Sequence, residues 1–152
     1  MAVLSETEAL ASLCKVVSQS SAAALLEGLP HPGFETEDFK VERQRSDVRL
    51  VASFPFYVRP LTLDLELQAA LRATLSSTAA LLPFTGEKLC GGFHPDYAVE
   101  WTGNEGQAHS LICFGCGEVV TAAAGSSVRS DLAGPAHVTL HRLLRKFKVN
   151  RP

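Results

Sequence analysis

The sequence predicts an α+β fold: a mostly antiparallel sheet of short strands with N-terminal, central and C-terminal helices packed on it. Three observations predict it. Apolar residues at helical spacing occupy the start, the middle and the end of the chain. Between them lie short runs in which apolar and polar residues alternate. Turns rich in glycine and asparagine separate the later runs by only a few residues, the spacing of antiparallel hairpins.

The elements follow in order. Ser5 to Glu8 reads as a capping box, with Ser5 at the N-cap and Glu8 reaching back. Leu10, Leu13, Cys14 and Val17 then form a helical stripe, which makes Cys14 a small buried hydrophobe. "SSAAALLEG" reads as an extension of this helix or a second one, ending at Gly28. "LPHPGFETED" is a loop, and "FKVERQRS" and "DVRLVASFPFYV" read as two strands, with Pro55 at a strand end or edge. Residues 64–82 read as the central helix, its stripe being Leu67, Leu71, Leu75, Ala79 and Leu82, stopped by Pro83. "YAVEW" and "AHSLIC" are strands joined by "TGNEGQ". "GEVVTAA" and "SSVRSDL" are a further pair. Gly134-Pro135 opens the last helix, whose stripe is Leu140, Leu143, Leu144 and Phe147.

Length and composition place bounds on function. A chain of 152 residues fits one domain, residues 1–152, with enough length for a real core. The net charge of −2 supplies no global field for nucleic acid or an anionic membrane, so neither is expected as a partner. The basic residues gathered in "HRLLRKFKVNRP" fit the C-terminal end of a helix dipole. No apolar run approaches the ~18 residues of a membrane span. The first residues carry Glu6 and Glu8 rather than a basic region and a long apolar run, which argues for a cytoplasmic location. Thiols stay reduced there, which favours metal over disulfide.

Three of the four cysteines gather in "KLCGGFHPDYAVEW" and "CFGC". With the hairpin turn near Asn104 and Glu105, paired residue numbers sum to 209 or 210. That register sets Cys113 opposite Asp96 or Tyr97 and Cys116 opposite Phe93 or His94. Gly91 and Gly92 supply the sharp backbone angles that fold Cys90 back. Cys90, His94, Cys113 and Cys116 then meet at one end of the hairpin, a Cys3His set of the kind that holds tetrahedral zinc. His109 falls near the turn, too far along the strand to join them. Two other readings stay open: cysteines as buried hydrophobes, and thiols that meet no metal and pair by oxidation. A thioredoxin-type site wants a helix after its CxxC pair, and "GEVV" is strand-like. A zinc deaminase wants a glutamate two residues after its histidine, where this chain has Asp96. Asp96 reads instead as an ion-pair or turn residue. Tyr97 and Trp101 read as core.

The stretch "GEKLCGGFHPDYAVEW…LICFGCGEVV" and the tail "LLRKFKVNRP" resemble a family of uncharacterised bacterial proteins. Its members share a Cys-Gly-Gly-Phe-His segment, a Cys-Phe-x-Cys pair one hairpin later, and a C-terminal helix with a basic tail. The resemblance covers residues 61–152. It marks Cys90, His94, Cys113 and Cys116 as the family-like positions and implies no activity. The expectation is a small soluble protein with a Cys3His-type structural zinc or thiol site, acting as a protein-binding or regulatory module. The alternative is a thiol-redox or zinc-dependent enzyme using the same cluster. The residues name no small-molecule substrate.

Overall fold

In the computed structural model, which describes residues 2–152, the α+β fold is built on two antiparallel sheets. Ser5 caps helix α1 (Glu6–Ser18) reciprocally: the Glu8 N–H donates to Ser5 Oγ at 3.2 Å, and the Ser5 N–H donates to Glu8 Oε2 at 2.8 Å. Leu10, Leu13, Cys14 and Val17 form its buried face. The alanine-rich segment that follows is not helix. It is strand β1 (Ala22–Glu27), paired with a later strand from Ala22↔Thr102 to Glu27↔Tyr97. Sheet pairing and burial override the helix propensity of alanine and leucine here.

The next run was expected as a strand and forms helix α2 (Thr36–Glu42). The hairpin lies wholly inside "DVRLVASFPFYV": β2 (Val48–Val51) turns through Ala52 and Ser53 into β3 (Phe54–Tyr57). Both turn residues have positive φ, 47° and 74°, without being glycine, so the usual turn signal is missing. Helix α3 (Leu65–Leu75), capped by Asp64, buries Leu67, Leu71 and Leu75 as the spacing predicts. It ends at Ser76, short of the predicted stop at Pro83. Pro83 instead closes strand β4 (Leu81–Pro83) at the sheet edge, where a missing N–H is tolerated.

Strands β5 (Tyr97–Gly103), β6 (Gly106–Cys113), β7 (Glu118–Ala123) and β8 (Ser126–Leu132) form a meander. The β5–β6 register sums to 209 throughout, from Tyr97↔Ile112 to Gly103↔Gly106. Helix α4 (Gly134–Leu144) and a short 3₁₀ turn (Arg145–Phe147) follow. The six-stranded order is β1-β5-β6-β7-β8-β4. One face carries Val99, Trp101, Ile112 and Val119 into a core with α1, α3 and α4. The opposite face carries Leu26, Ala98 and Leu111 against Val51 and Phe56 of the β2–β3 hairpin. Among the described residues no helix is long and apolar enough to cross a membrane.

Candidate functional site: a cysteine cluster under the 84–96 segment

The strand order sets the site. β4 lies at one edge and β5 lies four positions away, so residues 84–96 must cross β8, β7 and β6 to join them. At ~4.8 Å per strand this is roughly 19 Å. The crossing segment has no helix or strand of its own. Loops of this length inside a small fold need something to tie them down or a function to perform.

Two ties hold it. The first is a polar knot over β7 and β8. Lys88 Nζ donates to Glu118 Oε2 and to Asp131 Oδ1, both at 2.6 Å. Arg129 Nε donates to the other oxygen of Glu118 at 2.7 Å. Glu118 is fully buried, so two cations compensate one desolvated carboxylate. The Phe84 ring packs beneath both, 4.9 Å from Lys88 Nζ and 4.4 Å from the Arg129 guanidinium. Hydrogen bonds from Lys88 to Asp131 and Glu118 raise the lysine pKa.

The second tie is covalent. Cys90 and Cys116 form a disulfide with Cα atoms 5.3 Å apart. Cys113 completes the buried cluster as a free thiol, with Phe93 packed against it. Gly91 and Gly92 have φ of +77° and +88°, the turn predicted for them. A side chain at Gly91 would also meet His31 Cε1 at 2.8 Å and the Phe34 ring at 3.0 Å, so the segment fits closely against residues 31–34. Burial pushes the Cys113 thiol pKa up, opposed by N–H groups of His94 and Cys116 that face the sulfur. That environment keeps the thiol protonated.

The structure thus joins Cys90, Cys113 and Cys116, as the sequence led us to expect, and sets the His94 ring to another task. His94 Nε2–H donates to the Leu29 carbonyl at 2.8 Å. Its ring meets His31 and Phe39 edge-on, with centroids 5.3 Å and 6.0 Å away. Burial lowers the His94 pKa, which favours the neutral imidazole. Tetrahedral zinc needs thiolates and a free imidazole nitrogen. Two sulfurs bonded to each other supply no thiolate, so in the bonded state the cysteines do not form a Cys3His zinc set; the Leu29 contact occupies Nε2 alone. Among the described residues no group of three His, Cys, Asp or Glu is placed to hold a metal.

The remaining residues singled out in the sequence are structural. Asp96 Oδ2 accepts from the Phe114 N–H at 2.8 Å, and Oδ1 accepts from Arg151 at 3.3 Å, an ion-pair and turn role. His109 pairs with Glu100 at 2.9 Å, well along the strand from the cysteines. Trp101 and Tyr97 are core, and Cys14 is buried in α1. Strand β7 follows the CxxC pair, so the helix N-terminus of a thioredoxin-type thiol is missing there. Sequence reasoning missed Lys88, Glu118, Arg129 and Asp131. The one available signal was the hairpin register, which sets Cys113 opposite Glu118. No family model, curated protein or solved structure matches the chain.

Proposed function

We propose that the cysteine cluster is a structural thiol–disulfide site, and that the chain is a non-enzymatic protein-binding or regulatory module. One observation carries this reading: the Cys90–Cys116 bond fastens a long irregular segment to the β6–β7 turn, beside a thiol whose burial disfavours the reactive thiolate. The fastened segment also holds Leu89 fully in solvent, and its neighbour Phe34 is 71% exposed. Rigid loops that present apolar tips bind partners at low entropic cost. The likeness to the bacterial family with Cys-Gly-Gly-Phe-His and Cys-Phe-x-Cys segments belongs to the same proposal. It supplies the positions and no activity. A cytoplasmic location, which belongs to the same proposal, would set this disulfide against a reducing pool, where burial protects the bond from attacking thiols.

Melting curves of the full chain test the site. Reductant should lower the midpoint, and a strong chelator should leave it unmoved. A chelator-sensitive midpoint would return the cluster to zinc. Panning a displayed random-peptide library against the chain tests the module. Enriched peptides should lose binding to Phe34→Ser and Leu89→Ser while both variants keep the wild-type melting point. Failure to enrich any peptide would count against a binding role.

A further inference from the structure

A disulfide that only fastens a loop needs two sulfurs, and this cluster has three. Cys113 stands in the same turn as Cys116, whose N–H lies 3.4 Å from the Cys113 sulfur. Burial keeps the resting sulfur a thiol, and the Cys116 N–H offsets part of that cost when the proton leaves. The turn suits a second pairing. Residues three apart across a tight turn have Cα atoms within about 7 Å, which overlaps the disulfide range of roughly 4.4–6.8 Å. Nothing lies within 4 Å of where a side chain at Gly115 would begin, so that side of the turn is open.

We propose that Cys113 is an internal exchange thiol that moves the disulfide from Cys90–Cys116 to Cys113–Cys116, a regulation of the site that rests on the staple reading above. The Cys113 thiolate attacks Cys116 Sγ. The Cys113–Cys116 bond forms as the Cys90–Cys116 bond breaks, and Cys90 leaves as thiolate. The proton lost by Cys113 is taken up by Cys90. One disulfide and one thiol exist before and after, so no outside oxidant or reductant is needed. The two states differ in what they hold. In the first, residues 84–96 are covalently fixed to the β6–β7 turn. In the second, the Lys88 knot, the hydrogen bonds of His94 and Asp96 and apolar packing hold them without a covalent tie, and a thiol sits on the segment next to exposed Leu89. Cys113 is 2% exposed and Cys90 is 9% exposed with glycines on its C-terminal side, so exchange moves the free thiol from an enclosed site to a releasable one.

The test uses the full chain purified without reductant and a bulky polyethylene-glycol maleimide. Cleavage after Glu100 or Glu105 separates Cys90 from the Cys113–Cys116 turn, so a non-reducing peptide map reads which pair is bonded. Label should accumulate on Cys90, with Cys113–Cys116 bonded, at a rate independent of protein concentration. Buried Cys14 should stay unlabelled over the same time. Cys113→Ser should slow Cys90 labelling at least about tenfold while Cys90–Cys116 stays intact. Cys90→Ser should yield a chain with Cys113–Cys116 bonded. The exchange is overturned, and the staple stands, if Cys90 never takes label or if Cys113 is labelled with Cys90–Cys116 intact. It is overturned also if Cys14 labels as fast as Cys90, because global unfolding then explains both. Four free thiols in the chain trapped under denaturing conditions at the start would overturn the staple and the exchange together.

Discussion

Glu118 shows what a single buried charge does in this chain. Its carboxylate is fully buried and accepts from Lys88 and Arg129, whose side chains keep 31% and 27% of their exposure. Removing one partner of a buried pair costs about 3–5 kcal/mol. The partly exposed cations here are rehydrated on loss of the carboxylate, so Glu118→Gln should fall at the low end, about 3 kcal/mol, in urea unfolding. A loss near zero would show that the knot does not hold residues 84–96. The same knot gives a pH signature. Burial tends to raise the Asp131 pKa, but hydrogen bonds from Lys88 and Thr85 hold it below its ordinary 3.8. A carboxyl depressed in the folded state contributes stability that is complete above 3.8 and is lost as pH falls through the folded value. Lys88→Met should therefore flatten the fall of the melting temperature below that pH. An unchanged acid slope would remove Asp131 from the account.

At the scale of elements, the last residues act as a strap on β1. Glu27 is fully buried at the end of that strand. Its two oxygens accept from the backbone N–H groups of Val149 and Asn150 at 2.8–3.0 Å, and Oε1 accepts from Arg151 at 3.2 Å. Arg151 also ties Asp96 and lies over the Tyr97 ring at 5.3 Å. The basic tail that reads as dipole complementarity thus works through its backbone as well as its charge. A chain ending at Lys148 removes the Val149, Asn150 and Arg151 donors from the Glu27 carboxylate. It should lose about 3–5 kcal/mol in urea unfolding, and Glu27→Gln in the shortened chain should recover part of that. Equal stability of the long and short chains would contradict the strap.

At the scale of the whole molecule, one connection distinguishes this sheet from a simple meander. The chain leaves β4 at one edge and re-enters at β5 beside the other, with no crossover helix to span the distance. A covalent tie does that work. Cys90 and Cys116 are 26 residues apart in sequence. Closing a loop of that length removes roughly 3–4 kcal/mol of denatured-state freedom. Cys116→Ser should therefore lower the melting temperature by about 10 °C in a domain of this size. Cys14→Ala, which only trims a small core side chain, should cost about 1 kcal/mol. Comparable losses in the two variants would mean that packing, not cross-linking, accounts for Cys116.

The sequence by itself determined the α+β class, the capping box at Ser5, the helical stripes of α1, α3 and α4, and the β5–β6 register that gathers Cys90, Cys113 and Cys116. Each of these is written in local spacing: a period of 3.6 or 2, a two-residue turn, a pair of glycines. Only the tertiary structure decided the rest. Ala22–Glu27 is strand because pairing with β5 buries Leu25 on one face of the sheet and Leu26 on the other, which one face of a helix could not do. Pro83 ends a strand because β4 is an edge. Cys116 meets Cys90 while the His94 ring turns to the Leu29 carbonyl, because the 84–96 crossing and residues 29–34 approach from distant parts of the chain. Spacing along a sequence reports which side chains share a face. It does not report which of several compatible partners, brought close only by the folded chain, each polar group or sulfur will take.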